Sequence, residues 1–219
     1  MPKATKPQRV PRGTLNRAAI LEAALALLEE QGSEAVTIRN VARVLGAKPM
    51  SLYSHISGKE DLLDGMFEVI LSDVKFPSLD DETWQNVMRL SAGEYRRALL
   101  RHPAAIAAMH LRLQRSTGVW AYVTDWSLSV LRSGGFDLET CVHAHRTLFS
   151  VTVGATLNEA WYLERAAGVD ANSDMLLPAT GTPTLVEAAA YFAEPDFDAA
   201  FAFAIDTVIA GLERRLQVD

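Results

Sequence analysis

From Lys48 to Lys59 the chain carries two ammonium groups, three serine hydroxyls, a phenol and an imidazole, and no carboxylate. Each of these groups can bond a phosphate oxygen or touch a base edge, and the lack of acid removes what would repel a polyanion. If the segment opens with a short helix, Leu52 and Ile56 turn to a core while Lys48, Pro49, Met50, Ser51, Tyr53, Ser54 and His55 stay outside. That outer face suits a DNA groove better than water alone. The first acid after it is Glu60.

Such a helix must be held out by its neighbours, and the flanking sequence supplies them. Thr37 is a natural N-cap for a helix with Val41, Val44 and Leu45 on its apolar side. Gly46 stops that helix in the left-handed conformation, and Ala47 and Lys48 lead into Pro49, which fits the first turn of a second helix about two turns long. Two helices around a glycine turn make a helix-turn-helix. Upstream, Ile20, Leu21, Ala24, Leu25, Leu27 and Leu28 recur at helical spacing until Gly32, giving a beam against which Val41, Leu45, Leu52 and Ile56 pack. Downstream, Leu62, Leu63, Met66, Phe67, Ile70 and Leu71 predict a fourth helix over 59–75. Lys59 stands at its N-terminus, where ammonium and backbone N–H can share a phosphate.

The run Leu-Tyr-Ser-His-Ile-Ser-Gly-Lys-Glu-Asp-Leu-Leu from Leu52 to Leu63, with Thr37-Ile38-Arg39-Asn40-Val41-Ala42 before it, resembles the DNA-binding domain of the tetracycline-repressor (TetR) family. The resemblance is close over 15–71 and extends beyond only in helical layout. Met50 stands where a small residue or proline is frequent, and Ile56 where Phe is usual. The resemblance implies a dimer whose two recognition helices sit one DNA turn apart, about 34–36 Å, on an operator, until a ligand changes their separation through the fourth helix. On this basis Arg39, Lys48, Pro49, Met50, Ser51 and Tyr53 are assigned to bases or nearby backbone. Thr37, Ser54, His55 and Lys59 are assigned to phosphates, with Arg17 at the start of the first helix.

Charge is divided along the chain. Residues 1–60 hold nine Lys or Arg against five Glu, net +4, and the rest hold twelve against twenty-two acids, net −10. Only one end is suited to phosphate, which argues against a general nucleic-acid coat. Residues 1–13 carry Lys3, Lys6, Arg9 and Arg12 with three prolines and no acid, a flexible basic arm. The single cysteine, Cys141, fits a reducing compartment and a core position. With no spanning apolar run and no signal-peptide pattern, the expected location is the cytoplasm, with no membrane partner.

The expected fold is all-α: arm 1–13, helix-turn-helix domain 14–58, linking helix 59–76, and a helical domain 80–219 for ligand binding and dimerisation. Its helices are expected near 84–101, 104–113, 119–133, 138–167, 184–192 and 196–217. Val151, Gly154 and Ala155 offer a small-residue approach on the long helix. Phe197, Phe201, Ile205, Val208 and Leu212 widen the apolar stripe of the last, so both are expected at a twofold four-helix interface. Trp84, Met88, Met109, His110, Trp120, Trp126, Phe149, Asn158 and Trp161 are the expected contacts of an unidentified small-molecule effector, with His102, His143, His145 and Glu159 as further polar groups.

No cofactor or metal is expected. His143 and His145 point about 200° apart on a helix and cannot clamp one ion. Tetracycline is not implied either, because the ligand residues of tetracycline repressors find no match. No phosphate loop, nucleophile elbow or zinc motif marks an enzyme. The alternatives are a DNA-binding regulator answering to a protein partner instead of a ligand, and an activator in place of a repressor.

Overall fold

The computed structural model describes residues 15–72, 74–80, 82–105, 118–168 and 182–217; the basic arm lies outside them. Helix α1 spans Arg17–Gln31, opened by the Asn16 side chain accepting from the Ala19 amide and closed at Gly32. Its apolar residues are buried as spaced. After a short 3-10 turn, Ser33–Ala35, comes α2, Ile38–Val44, with the Thr37 hydroxyl accepting from the Asn40 amide at 3.1 Å. Val41 and Leu45 enter the core, but Val44 is 41% exposed, on the flank of α2 turned away from α1. Gly46 takes φ 62°; its amide donates to the Arg43 carbonyl, and the Ala47 amide to that of Ala42. This pairing ends a helix in the left-handed conformation that favours glycine.

Helix α3, Pro49–Leu52, is one turn long and not the two expected. The amides of His55 and Ile56 both return to the Leu52 carbonyl, and the Ser54 hydroxyl donates to the Ser51 carbonyl at 2.7 Å. Such local bonds compete with helix continuation. The exit places Ile56 in the core beside Leu52, both essentially inaccessible. Helix α4, Lys59–Ser72, begins where Asp61 accepts from the Ser57 amide and hydroxyl. It stops three residues short of the expected end because the chain turns to bury Val74. Gly65 lets α4 lie directly on α1: a β-carbon there would come within 2.5 Å of the Leu21 side chain.

Among the described residues the second domain holds α5, Trp84–Leu100; α6, Gly118–Ser133; α7, Leu138–Gly168; two short helices, α8, Pro183–Glu187, and α9, Ala189–Ala193; and α10, Phe197–Leu216, while the helix expected over 104–113 falls largely outside them. The single helix expected over 184–192 is broken at Ala188. No strand occurs among the described residues, and none of their helices is long and apolar enough to cross a membrane. Helix α7 packs against α5, α6 and α10, and α4 reaches α5 and α6. One core joins the helix-turn-helix to Tyr95, Ala98 and Leu99 of α5 and to Val153 and Ala160 of α7. A second gathers Trp84, Val87, Leu131, Cys141, Leu148 and the inner face of α10. Between the helices, Arg96 of α5 pairs with Glu159 of α7 at 2.8 Å and Asp198 of α10 at 2.7 Å.

Candidate nucleic-acid interface and inner cavity

The short α3 stands out from the first domain on Leu52 and Ile56. Met50 is 76% exposed and Tyr53 49%, and Lys48, Pro49, Ser51 and Ser54 are exposed with them. Arg39 projects from α2 and Lys59 from the start of α4. Thr37 is half-buried with its hydroxyl oxygen capping α2, and His55 is half-buried at the end of the α3 turn. The sequence reading passed over Arg43, which lies one turn after Arg39, is exposed, and donates to Asn40 Oδ1 at 3.3 Å. Its signal was the acid-free run, which extends unbroken from Ala35 to Lys59.

Arg17 is placed differently from its expected role. Its guanidinium turns onto Asp61 at 2.7 Å, with Glu68 at 3.5 Å, and donates to the His55 carbonyl at 3.4 Å. Hydrogen bonding from Arg17 holds the Asp61 carboxyl below its ordinary range. Arg17 thus braces α1 against α4 and neutralises the Asp61 carboxylate.

Within the second domain, α5, α6 and α7 line a partly open cavity of about 70 Å³. It is lined by Met88, Ser91, Ala92 and Tyr95; by Trp120, Val123, Trp126 and Ser127; and by His145, Leu148, Phe149 and Thr152, with Phe76 from the inter-domain stretch. Of the expected effector contacts, Met88, Trp120, Trp126 and Phe149 line it. Trp84 does not, because it packs edge-on to Phe136, 5.1 Å away, in the second core. Asn158 and Trp161 also lie away from it, on the exposed side of α7. Met109 and His110 fall outside the described residues. The cavity shares Trp120, His145 and Phe149 with a wider groove of about 780 Å³ between α6 and α7, where Thr124, Arg146 and Gly154 join the wall.

The aromatic walls run on toward α4. Trp120 meets Phe149 at 4.9 Å between ring centroids, and on its other side Phe67 of α4 at 5.5 Å. His145 bonds the Ser127 hydroxyl at 3.0 Å through Nδ1, and burial, then Arg146, lower its pKa. Tyr95, which the sequence reading did not single out, is buried, and its hydroxyl has no partner among the described residues. Burial pushes its phenol above the ordinary range.

The expected subunit face needs correction at several residues. Phe201, Ile205 and Leu212 are buried inside the protomer's own second core, Phe201 beneath the Arg96 guanidinium at 4.9 Å. Val151, Ala155 and Val208 pack against the same core, and Phe197 against Tyr162 at 5.2 Å. Gly154 is exposed with open space above it. Large apolar side chains exposed on these two helices are Phe203, at 75%, and Leu216 of α10, and Leu138, Trp161 and Leu163 of α7, of which Trp161 and Leu163 border a groove against α1.

Two family profiles match this architecture: "Bacterial regulatory proteins, tetR family" over residues 20–66 and "Tetracyclin repressor-like, C-terminal domain" over 76–216. Among curated relatives, the class D tetracycline repressor protein of Escherichia coli is 32% identical over 205 residues, 92% of this chain and 91% of that protein. The Streptomyces coelicolor TetR family protein ActR, solved in complex with actinorhodin, superposes with a TM-score of 0.76 at 27% identity, covering 91% of this chain and 96% of that one. A TetR variant from Acinetobacter baumannii AYE, solved with minocycline, gives 0.70 at 26% identity, covering 91% and 94%.

Proposed function

The chain belongs to the tetracycline-repressor family of bacterial regulatory proteins, and from that premise we propose how its surfaces divide the work of a ligand-responsive DNA-binding repressor. Two copies join through α7 and α10 and place one α3 each in successive major grooves of a palindromic operator in the cytoplasm. Arg39, Arg43, Lys48, Pro49, Met50, Ser51 and Tyr53 meet bases or adjacent backbone. Lys59, Ser54, His55 and the α2 N-terminus at Thr37 meet phosphates. A small molecule entering the α5–α7 cavity separates the rings there. Through Trp120 and Phe67 it moves α4, and so the spacing of the two α3 helices. Release follows because the ligand favours the protomer arrangement that fits DNA less well.

The observation that carries this reading is the acid-free surface from Ala35 to Lys59, exposed at Met50 and Tyr53 and fixed from beneath by Leu52 and Ile56. Relatives named for tetracycline, and neighbours solved with actinorhodin or minocycline, support a small-molecule effector. Selection of bound duplexes from a random pool tests the proposal. Recovery of a palindrome with half-sites one helical turn apart is expected, and recovery of unrelated sequences with no common motif would refute it.

A further inference from the structure

The polar groups of the cavity are unequal in what they can offer. The Ser91 hydroxyl donates to the Val87 carbonyl at 2.6 Å, and that of Thr152 to the Leu148 carbonyl at 2.8 Å. Ser127 is paired with His145. Tyr95 is different: it is 8% exposed, lines the cavity, and its hydroxyl is buried with no partner among the described residues. A buried hydroxyl left unpaired is unfavourable until something accepts from it. No Lys, Arg, Asp or Glu stands among the described lining residues, so nothing there compensates a buried charge on a ligand. Phe76, Trp120, Trp126 and Phe149 supply flat apolar walls suited to rings.

The geometry points to an effector whose buried part is an uncharged aromatic ring system bearing a carbonyl, with that oxygen accepting from the Tyr95 hydroxyl. This rests on the reading of the cavity as the effector site. The pocket is partly open and shares Trp120, His145 and Phe149 with the α6–α7 groove, into which the rest of the ring system extends.

Tryptophan quenching of the full-length protein by fluorenone, fluorene and fluorenone carboxylate tests this, with wild type beside Tyr95→Phe. Fluorenone is expected to bind about three- to tenfold tighter than fluorene, as one hydrogen bond allows, and tighter than the carboxylate. In Tyr95→Phe the fluorenone affinity should fall to that of fluorene, and fluorene should be unchanged. An equal preference for fluorenone in both proteins, or tightest binding of the carboxylate, would overturn the carbonyl assignment while leaving the cavity as a ligand site. Absence of quenching by all three would overturn the cavity reading and the assignment with it.

Discussion

Tyr95 carries a stability consequence independent of any ligand. Its unpaired hydroxyl costs the folded chain about 1–3 kcal/mol. Tyr95→Phe should therefore raise the melting temperature of the free protein, by about 2–4 °C for each kcal/mol recovered in a chain of this size. A fall in the calorimetric midpoint would show that the hydroxyl has a structural partner. On the DNA side, Lys59→Ala should weaken binding to every sequence and reduce the salt slope by about one unit. Met50→Ala should instead alter which bases are preferred, so the two variants separate in a binding titration across salt and operator variants. Leu52, Ile56 and Cys141 were legible in the sequence, because apolar spacing alone determines a core position. Tyr95 and Arg17 were not. An aromatic among Ala92, Ala98 and Leu99 reads as ordinary core, and its distinction, a missing partner, exists only in three dimensions. Arg17 pairs across to α4 because folding brings Asp61 and Glu68 beside it, which no local pattern announces.

At the level of elements, Thr37 and Gly46 stand where the sequence put a helix start and stop, while Asn16, Thr83 and Asp196 show themselves as caps only in three dimensions and Gly118 and Gly168, read as breaks, lie within helices. Lengths failed where tertiary demand took over, in α3, pulled short to bury Ile56, and in α4, ended to bury Val74. The contacts between domains were equally hidden. Glu29 of α1 accepts from the amides of Ala104 and Ala105, both at 3.2 Å, and so fastens the first domain to the helical turn that follows α5. That contact is a static anchor, whereas Phe67 against Trp120 touches the cavity wall itself. Phe67→Leu keeps an apolar residue under α4 but removes the ring contact, worth about 0.5–1.5 kcal/mol. Operator affinity of the free protein should hardly change. The loss of affinity caused by a saturating inducing compound should shrink by roughly three- to tenfold. An undiminished response would move the signal to another route, with the α5 contact of α4 the next to test.

Taken whole, the molecule places its positive end on one domain and its acid on the other, and it leaves Phe203 exposed on α10, while Trp161 borders a groove against α1. The expected four-helix interface put Phe201 and Ile205 between subunits; the protomer buries them for itself, so the proposed twofold contact is left with Phe203 and the open surface over Gly154 and Gly211. The two sets predict opposite phenotypes. Ile205→Ala removes buried atoms and should destabilise the protomer by about 2–5 kcal/mol, visible as a lower unfolding midpoint. Phe203→Glu leaves that core untouched. It removes one ring from each side of a twofold contact, about 1.5–3 kcal/mol per ring, and so should raise the dimer dissociation constant by roughly two to four orders of magnitude. Analytical ultracentrifugation should then find a folded monomer at micromolar concentration. Because a lone α3 contacts only one half-site, the same variant should bind a half-site duplex and the full palindrome about equally, whereas the native protein strongly prefers the palindrome. A Phe203→Glu protein that stayed dimeric and kept that preference would place the subunit contact on some other face of the second domain.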